Sequence, residues 1–145
     1  MEIKDEKELM KTLVKEIQSE IQRWKTERLL LIFLDEKGNI FYKKIVSVGY
    51  NKYVAYFYPN RVIEFINEIK PHAVVWAHNH VTNIARPSDV DDETLYWIKN
   101  ECEKRNIIFY DSIIVMKDNN NYYSYRECNR LDIIPTKNKV TTGGK

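Results

Sequence analysis

Ala73-Val74-Val75-Trp76-Ala77-His78-Asn79-His80, followed by a polar loop and by Pro87-Ser88-Asp89-Val90-Asp91, is the stretch on which the reading of this chain turns. Its first five residues are apolar and rich in β-branched and aromatic side chains, the composition of a short buried strand. Side chains alternate along extended backbone, so His78 and His80 leave the end of that strand on one side, where two imidazoles can converge on one ion. Ser88 then opens a helix and Asp91 stands one turn into it. A loop of this length can fold back and deliver Asp91 to the histidines. Two neutral imidazoles and a carboxylate form a three-ligand set that leaves the fourth position of a zinc ion open, the arrangement of catalytic rather than structural zinc. Ser-x-x-Asp at a helix start is also capping chemistry. The two uses are compatible for Ser88. They compete for Asp91, because a carboxylate turned toward the N-cap is turned away from a metal.

Outward from this stretch the elements alternate. Leu9, Met10, Leu13, Val14, Ile17, Ile21 and Trp24 recur at three- and four-residue steps, which predicts an amphipathic helix over residues 3–24. Its stripe suits either a core or a dimer seam. Leu29–Leu34 is a continuous apolar run that turns through Asp35–Asn39 into Ile40–Val48, a hairpin whose first strand is buried on both faces. Residues 53–58 form a further strand, and a helix begins at Pro59 and ends before Pro71. A second helix runs from about Ser88 to Arg105. Ile107–Tyr110 and Ile113–Met116 are strand segments, and Tyr122–Tyr125 closes a hairpin across the Asn119–Asn121 turn. Strands and helices that alternate across one sheet define a layered α/β domain.

Composition narrows the function. The chain has 145 residues, 43% of them hydrophobic and 30% charged, with four Gly and four Pro, as in one soluble globular domain. Leu29–Leu34, the longest apolar run, is far too short for a bilayer span. The charged N-terminus carries no apolar leader, so a cytoplasmic protein without membrane association is expected. A net charge of +2 does not call for nucleic acid as a partner. Cys102 and Cys128 form neither a metal-binding pair nor a disulfide framework.

His-x-His, seven residues, then Ser-x-x-Asp resembles the metal-binding signature of the JAB/MPN (JAMM) metalloprotease superfamily, and His78, His80, Ser88 and Asp91 fit that spacing without a gap. The context is similar to the superfamily's bacterial RadC branch. Its pattern is His-Asn-His, a loop closing in Pro-Ser, a helix, and a strand of the form LLDHIII; here the last is Phe109-Tyr110-Asp111-Ser112-Ile113-Ile114-Val115. Upstream, Glu27 ahead of Leu29–Leu34 and Asp35 resembles the family's Glu-led strand ending in Phe-Leu-Asp. Val48-Gly49 and Pro59–Arg61 resemble its later landmarks. The likeness runs over residues 27–126 and divides the chain into an N-terminal helix (1–25), a RadC-like domain (26–127) and a polar tail (128–145).

The resemblance implies a three-layer α/β/α sandwich of the cytidine deaminase-like type. It implies that His78, His80 and Asp91 hold Zn2+, that Glu27 is the general base for a water activated by the metal, and that Ser88 donates to the developing oxyanion. The implied reaction is hydrolysis of a peptide or isopeptide bond in a peptide or protein substrate. Two departures stand out: Val81-Thr82-Asn83 replaces the family's Pro-Ser-Gly, and Ser112 replaces the histidine after the aspartate. Longer RadC proteins carry an N-terminal helix-hairpin-helix module associated with DNA binding, whereas here a single helix precedes the domain.

An alternative is a nucleic-acid-associated factor or metal-dependent nuclease that retains the zinc site, which predicts salt-sensitive binding to DNA or RNA. A zinc nucleobase deaminase is excluded, since H-x-E and P-C-x-x-C are both missing. Glu27 also suits an exposed carboxylate between helix and strand. Asp111 suits either a partner that orients a ligand histidine or a turn residue at a strand end. His72, after Pro71, is expected to be solvated. The tyrosines at 50–58 and 122–125 could stack on bases or pack a sheet.

Overall fold

In the computed structural model, the described residues are 5–49, 55–82, 84 and 86–135. Helix α1 (Glu6–Ile21) starts where the Asp5 carboxylate accepts the Glu8 N–H at 3.1 Å. Its stripe of Leu9, Met10, Leu13, Val14, Ile17 and Ile21 is buried against one face of a sheet, where it meets Leu30, Ile32 and Leu34, Ala73, Val75 and Ala77, and Ile113 and Val115. The stripe is therefore core. Trp24, expected to extend it, is 44% exposed, because the helix stops at Ile21 and the indole turns out beneath the Arg28 guanidinium, 4.2 Å away.

The sheet contains β1 (Leu29–Leu34), β2 (Ile40–Ile45), β5 (Ala73–His80), β6 (Ile108–Met116) and β7 (Tyr122–Ser124), in the order β2-β1-β5-β6-β7. β1 is antiparallel to both of its neighbours and buried throughout, as its unbroken apolar run predicts. β5 and β6 are parallel and joined through α3 (Asp89–Glu103). α3 lies with α2 (Pro59–Ile69) on the face opposite α1: Val62, Ile66, Leu95, Ile98 and Cys102 pack there on Leu31, Phe33, Val74, Trp76 and Ile114. The result is the expected α/β/α sandwich.

Four local features differ from the sequence reading. Ile40–Val48 is not one strand: it leaves β1 after Ile45, and β3 (Ser47–Val48) pairs with β4 (Tyr56–Phe57) in a separate ribbon. The start of the predicted strand, Tyr53 and Val54, lies outside the described residues. The two segments flanking Asp111 and Ser112 form one strand, β6, whose register against β5 slips at Val74/Val75. The Asp111 side chain has partners of its own, so the backbone has no need to leave the ladder. His72 is half-buried rather than solvated, since its N–H donates to the Leu34 carbonyl and its own carbonyl accepts the Ile108 N–H. Past Cys128 the chain still packs on the sandwich: Arg130 donates to the Tyr123 hydroxyl at 2.9 Å, and Leu131 and Ile133 meet the core. Among the described residues, no helix is long and apolar enough to cross a membrane.

Candidate metal centre

β5 is longer than its apolar part. It extends through Ala73–His80, so His78 sits in the strand between β1 and β6, and His80 is its last residue, paired with β6 alone. Alternation puts His78 and His80 on the side of Val74 and Trp76, beneath α3. There the three expected ligands converge. His78 Nε2 and His80 Nε2 are 3.1 Å apart, Asp91 Oδ1 is 3.2 Å from His78 Nε2, and Asp91 Oδ2 is 3.2 Å from His80 Nε2. Bonds of about 2.0–2.1 Å to a tetrahedral ion place ligand atoms about 3.3 Å apart, so this spacing suits a small divalent cation. His80 is oriented for that role. Its Nδ1 lies 3.0 Å from the Ile84 carbonyl, which can only accept, so in the neutral ring the proton is on Nδ1 and the Nε2 lone pair faces the cluster. The donor set and its spacing fit a metal ion, and these three residues could hold one.

Capping and ligation do not compete for Asp91 here. Ser88 is the N-cap of α3, its hydroxyl oxygen accepting the Asp91 N–H at 3.2 Å, while Asp91 Oδ2 accepts the Ser88 N–H at 2.8 Å. The same carboxylate presents Oδ1 to His78 and Oδ2 to His80. Burial alone would raise its pKa, but the two histidines and the Ser88 N–H outweigh burial and hold it well below the usual carboxylate range. For His80, burial opposes the charged form, yet Asp91, the Ile84 carbonyl and Glu27 raise its pKa on balance.

Glu27 is not an exposed connector. The β1–β5 register pairs Leu29 with His78, and Glu27 stands two residues ahead of Leu29, just before β1 begins. Its side chain lines a cavity of about 200 Å³ together with His78, Ser88 and Asp91, with Leu29, Phe57 and Trp76 as an apolar wall. Burial pushes the Glu27 carboxyl up to about 7, with His78 and His80 pulling it down and Asp91 pushing it up. Ser88 also faces this cavity; its hydroxyl accepts the cap hydrogen bond, which leaves the O–H free to donate.

Asp111 is not a partner of either histidine. It lies on the α1 face with Ile113 and Val115, where its carboxylate accepts the Ser124 hydroxyl and the Arg126 N–H and so fixes the turn after β7. The sequence reading passed over Asn79. Asn79 is fully buried, with Oδ1 accepting the Arg28 N–H at 2.6 Å and Nδ2 donating to the carbonyls of Thr26 at 3.1 Å and Trp24 at 3.4 Å. A residue between two inward-facing histidines must point to the opposite face, and a buried carboxamide there demands partners; that signal was present in the sequence. Ser112, paired with Trp76, lines the cavity floor where the family has a histidine.

An α/β/α sandwich with a His-x-His strand and an acid from the following helix defines a protein of the JAB/MPN class, which includes metallohydrolases. The sequence matches the RadC-like JAB domain over residues 3–131, and the chain belongs to that family. It is 29% identical over 115 residues to a UPF0758 protein of Streptococcus gordonii, covering 79% of this chain and 50% of the relative. A UPF0758 protein of Lactococcus lactis subsp. cremoris is 33% identical over 109 residues, covering 74% of this chain and 46% of the relative. The chain thus spans about half the length of the curated relatives it matches.

Proposed function

We propose that this protein is a zinc-dependent hydrolase that cleaves an amide bond, of the peptide or isopeptide kind, in a peptide or protein substrate. The observation that carries the reading is the mutual approach of His78 Nε2, His80 Nε2 and the Asp91 carboxylate to 3.1–3.2 Å, with Glu27 in the adjoining cavity. Bound there, zinc supplies Lewis acidity and lowers the pKa of water toward ~7. The chain supplies the rest. Glu27, its carboxyl raised by burial to about 7, takes a proton from the attacking water and gives it to the departing amine nitrogen. The Ser88 O–H donates where negative charge grows on the carbonyl oxygen. Leu29, Phe57 and Trp76 shield that exchange from bulk water and receive the apolar part of the substrate.

Metal analysis of the purified chain tests the reading. About one zinc per chain is expected, and almost none in the His78→Ala/His80→Ala variant. Glu27→Gln is expected to keep the zinc and to abolish hydrolysis in a screen of peptide and isopeptide substrates. Equal metal content in the chain and the double histidine variant would refute the site; unchanged turnover in Glu27→Gln would refute the base.

A further inference from the structure

We propose that Asn79 is the positioning residue for Glu27: from the opposite face of β5 its carboxamide clasps the segment that carries Glu27 and fixes it relative to the histidines on either side of Asn79. The inference rests on the base role given to Glu27 above. Backbone pairing of β1 with β5 ends at Leu29 and His78. Beyond that pair the ladder bonds stop, and the Asn79 side chain, one residue after His78, accepts the Arg28 N–H, one residue before Leu29. Its three hydrogen bonds all land within five residues: on the Trp24 and Thr26 carbonyls and on the Arg28 N–H. Two of these groups belong to the immediate neighbours of Glu27. The carboxamide has two donor hydrogens and an acceptor oxygen, and here both kinds are used on one loop. Asn79 is 0% exposed, so water cannot stand in for the lost bonds when the side chain is cut back.

The geometry assigns the two faces of one short strand to different tasks. Even-numbered His78 and His80 face the metal site; odd-numbered Asn79 holds the base-bearing loop. Any shift of the loop relative to the ligands has to break the Asn79 contacts first. An aspartate at this position would keep an acceptor for Arg28 but set an oxygen against the Thr26 and Trp24 carbonyls. An alanine would lose all three bonds.

The test uses the full chain and two readouts that general structural damage would not produce. In Asn79→Ala, amide hydrogen exchange of Arg28 is expected to speed up at least about tenfold, while Leu31 and Val75 in the middle of the sheet stay within about threefold. Zn2+ affinity by chelator competition, measured in a double-mutant cycle, is the second readout. Glu27→Gln is expected to weaken Zn2+ binding about fivefold in the parent chain, through loss of a nearby negative charge, and less than about twofold in the Asn79→Ala background. If Asn79→Ala does not fold, Asn79→Asp serves: the same loss of coupling is expected, with a smaller rise in Arg28 exchange. Unchanged Arg28 exchange, a uniform rise across the sheet, or an equal effect of Glu27→Gln in both backgrounds would overturn the inference. Failure of the parent chain to bind Zn2+ would refute the metal site alone, and Arg28 exchange would still decide whether Asn79 holds the loop.

Discussion

Asp91→Asn separates the capping that the structure shows for this carboxylate from the metal ligation proposed for it. As an N3 residue of α3, asparagine still offers an oxygen to the Ser88 N–H, so most of the capping box survives. The charge beside the helix N-terminus and between His78 and His80 is lost, and together with the weakened cap this costs the metal-free protein about 1 kcal/mol. For a domain of this size that is about 3 °C in Tm. Zinc binding suffers more. Replacing an ionised ligand with a neutral amide is expected to weaken affinity about 100-fold, equivalent to about 2.7 kcal/mol. At a free zinc concentration of about 100 times the parent Kd, zinc stabilises the parent by about 2.7 kcal/mol and the variant by only about 0.4 kcal/mol. Thermal melts with and without zinc should therefore show a rise of about 8 °C in the parent and about 1 °C in the variant, beside an apo difference of about 3 °C. A variant whose zinc-induced rise stays above half the parent's, while its apo Tm falls by more than that rise, would show Asp91 to be a cap and no ligand.

Other perturbations act on separate parts of the molecule. Ser88→Ala removes the acceptor of the Asp91 N–H and should cost about 1 kcal/mol in a denaturant melt, while Ser88→Gly should recover most of that stability. Both should lower kcat about 100-fold if the hydroxyl donates to the oxyanion, and a glycine variant with restored turnover would remove that role. Because Glu27 acts when ionised, kcat/KM should rise with pH along a limb centred at or below about 7, and a limb that persists in a residually active Glu27→Asp variant at the same pH would point to a different base. Asp111 offers a test of the α1 face. Burial raises its carboxyl from the ordinary 3.8 to about 6, with the Ser124 and Arg126 hydrogen bonds opposing the shift, so between these values the folded state holds a proton that the unfolded state has lost. Its contribution is therefore full below pH 4 and falls by about 3 kcal/mol as the pH rises past 6. Asp111→Asn should flatten that part of the stability profile in urea melts from pH 4 to 7; an unaltered slope would mean that another group sets it.

The parts of the fold that were legible in the sequence are those in which one physical requirement governs a whole segment. The α1 stripe, the doubly buried β1 and the turn at Asp35–Asn39 each follow a single period or a single loop chemistry, and the structure contains all three. Trp24 shows the limit of such reasoning: it keeps the helical period, but the helix ends before it, and periodicity does not mark where an apolar stripe stops. β6 failed for a related reason. Asp111 and Ser112 read as an interruption because buried polar residues are costly unless paired, and the pairing lies in Ser124 and Arg126, remote in sequence. The site was legible through its spacing, because His-x-His on a strand and Ser-x-x-Asp at a helix start are local patterns. For Asn79 the alternation gave the face and the need for partners, but not which partners, since these are 51–55 residues away and no local period marks them.

Asp91 also shows why two local readings that look exclusive can both hold. The competition rests on treating a carboxylate as a single acceptor, whereas it has two oxygens and about four lone-pair sites. At N3 of a helix the group sits at the positive end of the helix dipole, which favours its ionised form. The Ser88 N–H then fixes its torsion through Oδ2, and the remaining directions of Oδ1 and Oδ2 fall toward His78 and His80. The capping box thus keeps the acid charged and aimed without consuming it. A Ser-x-x-Asp that opens a helix after a His-x-His strand is, for this reason, stronger grounds for a metal site than either pattern alone, since the cap supplies the orientation that a three-ligand centre needs.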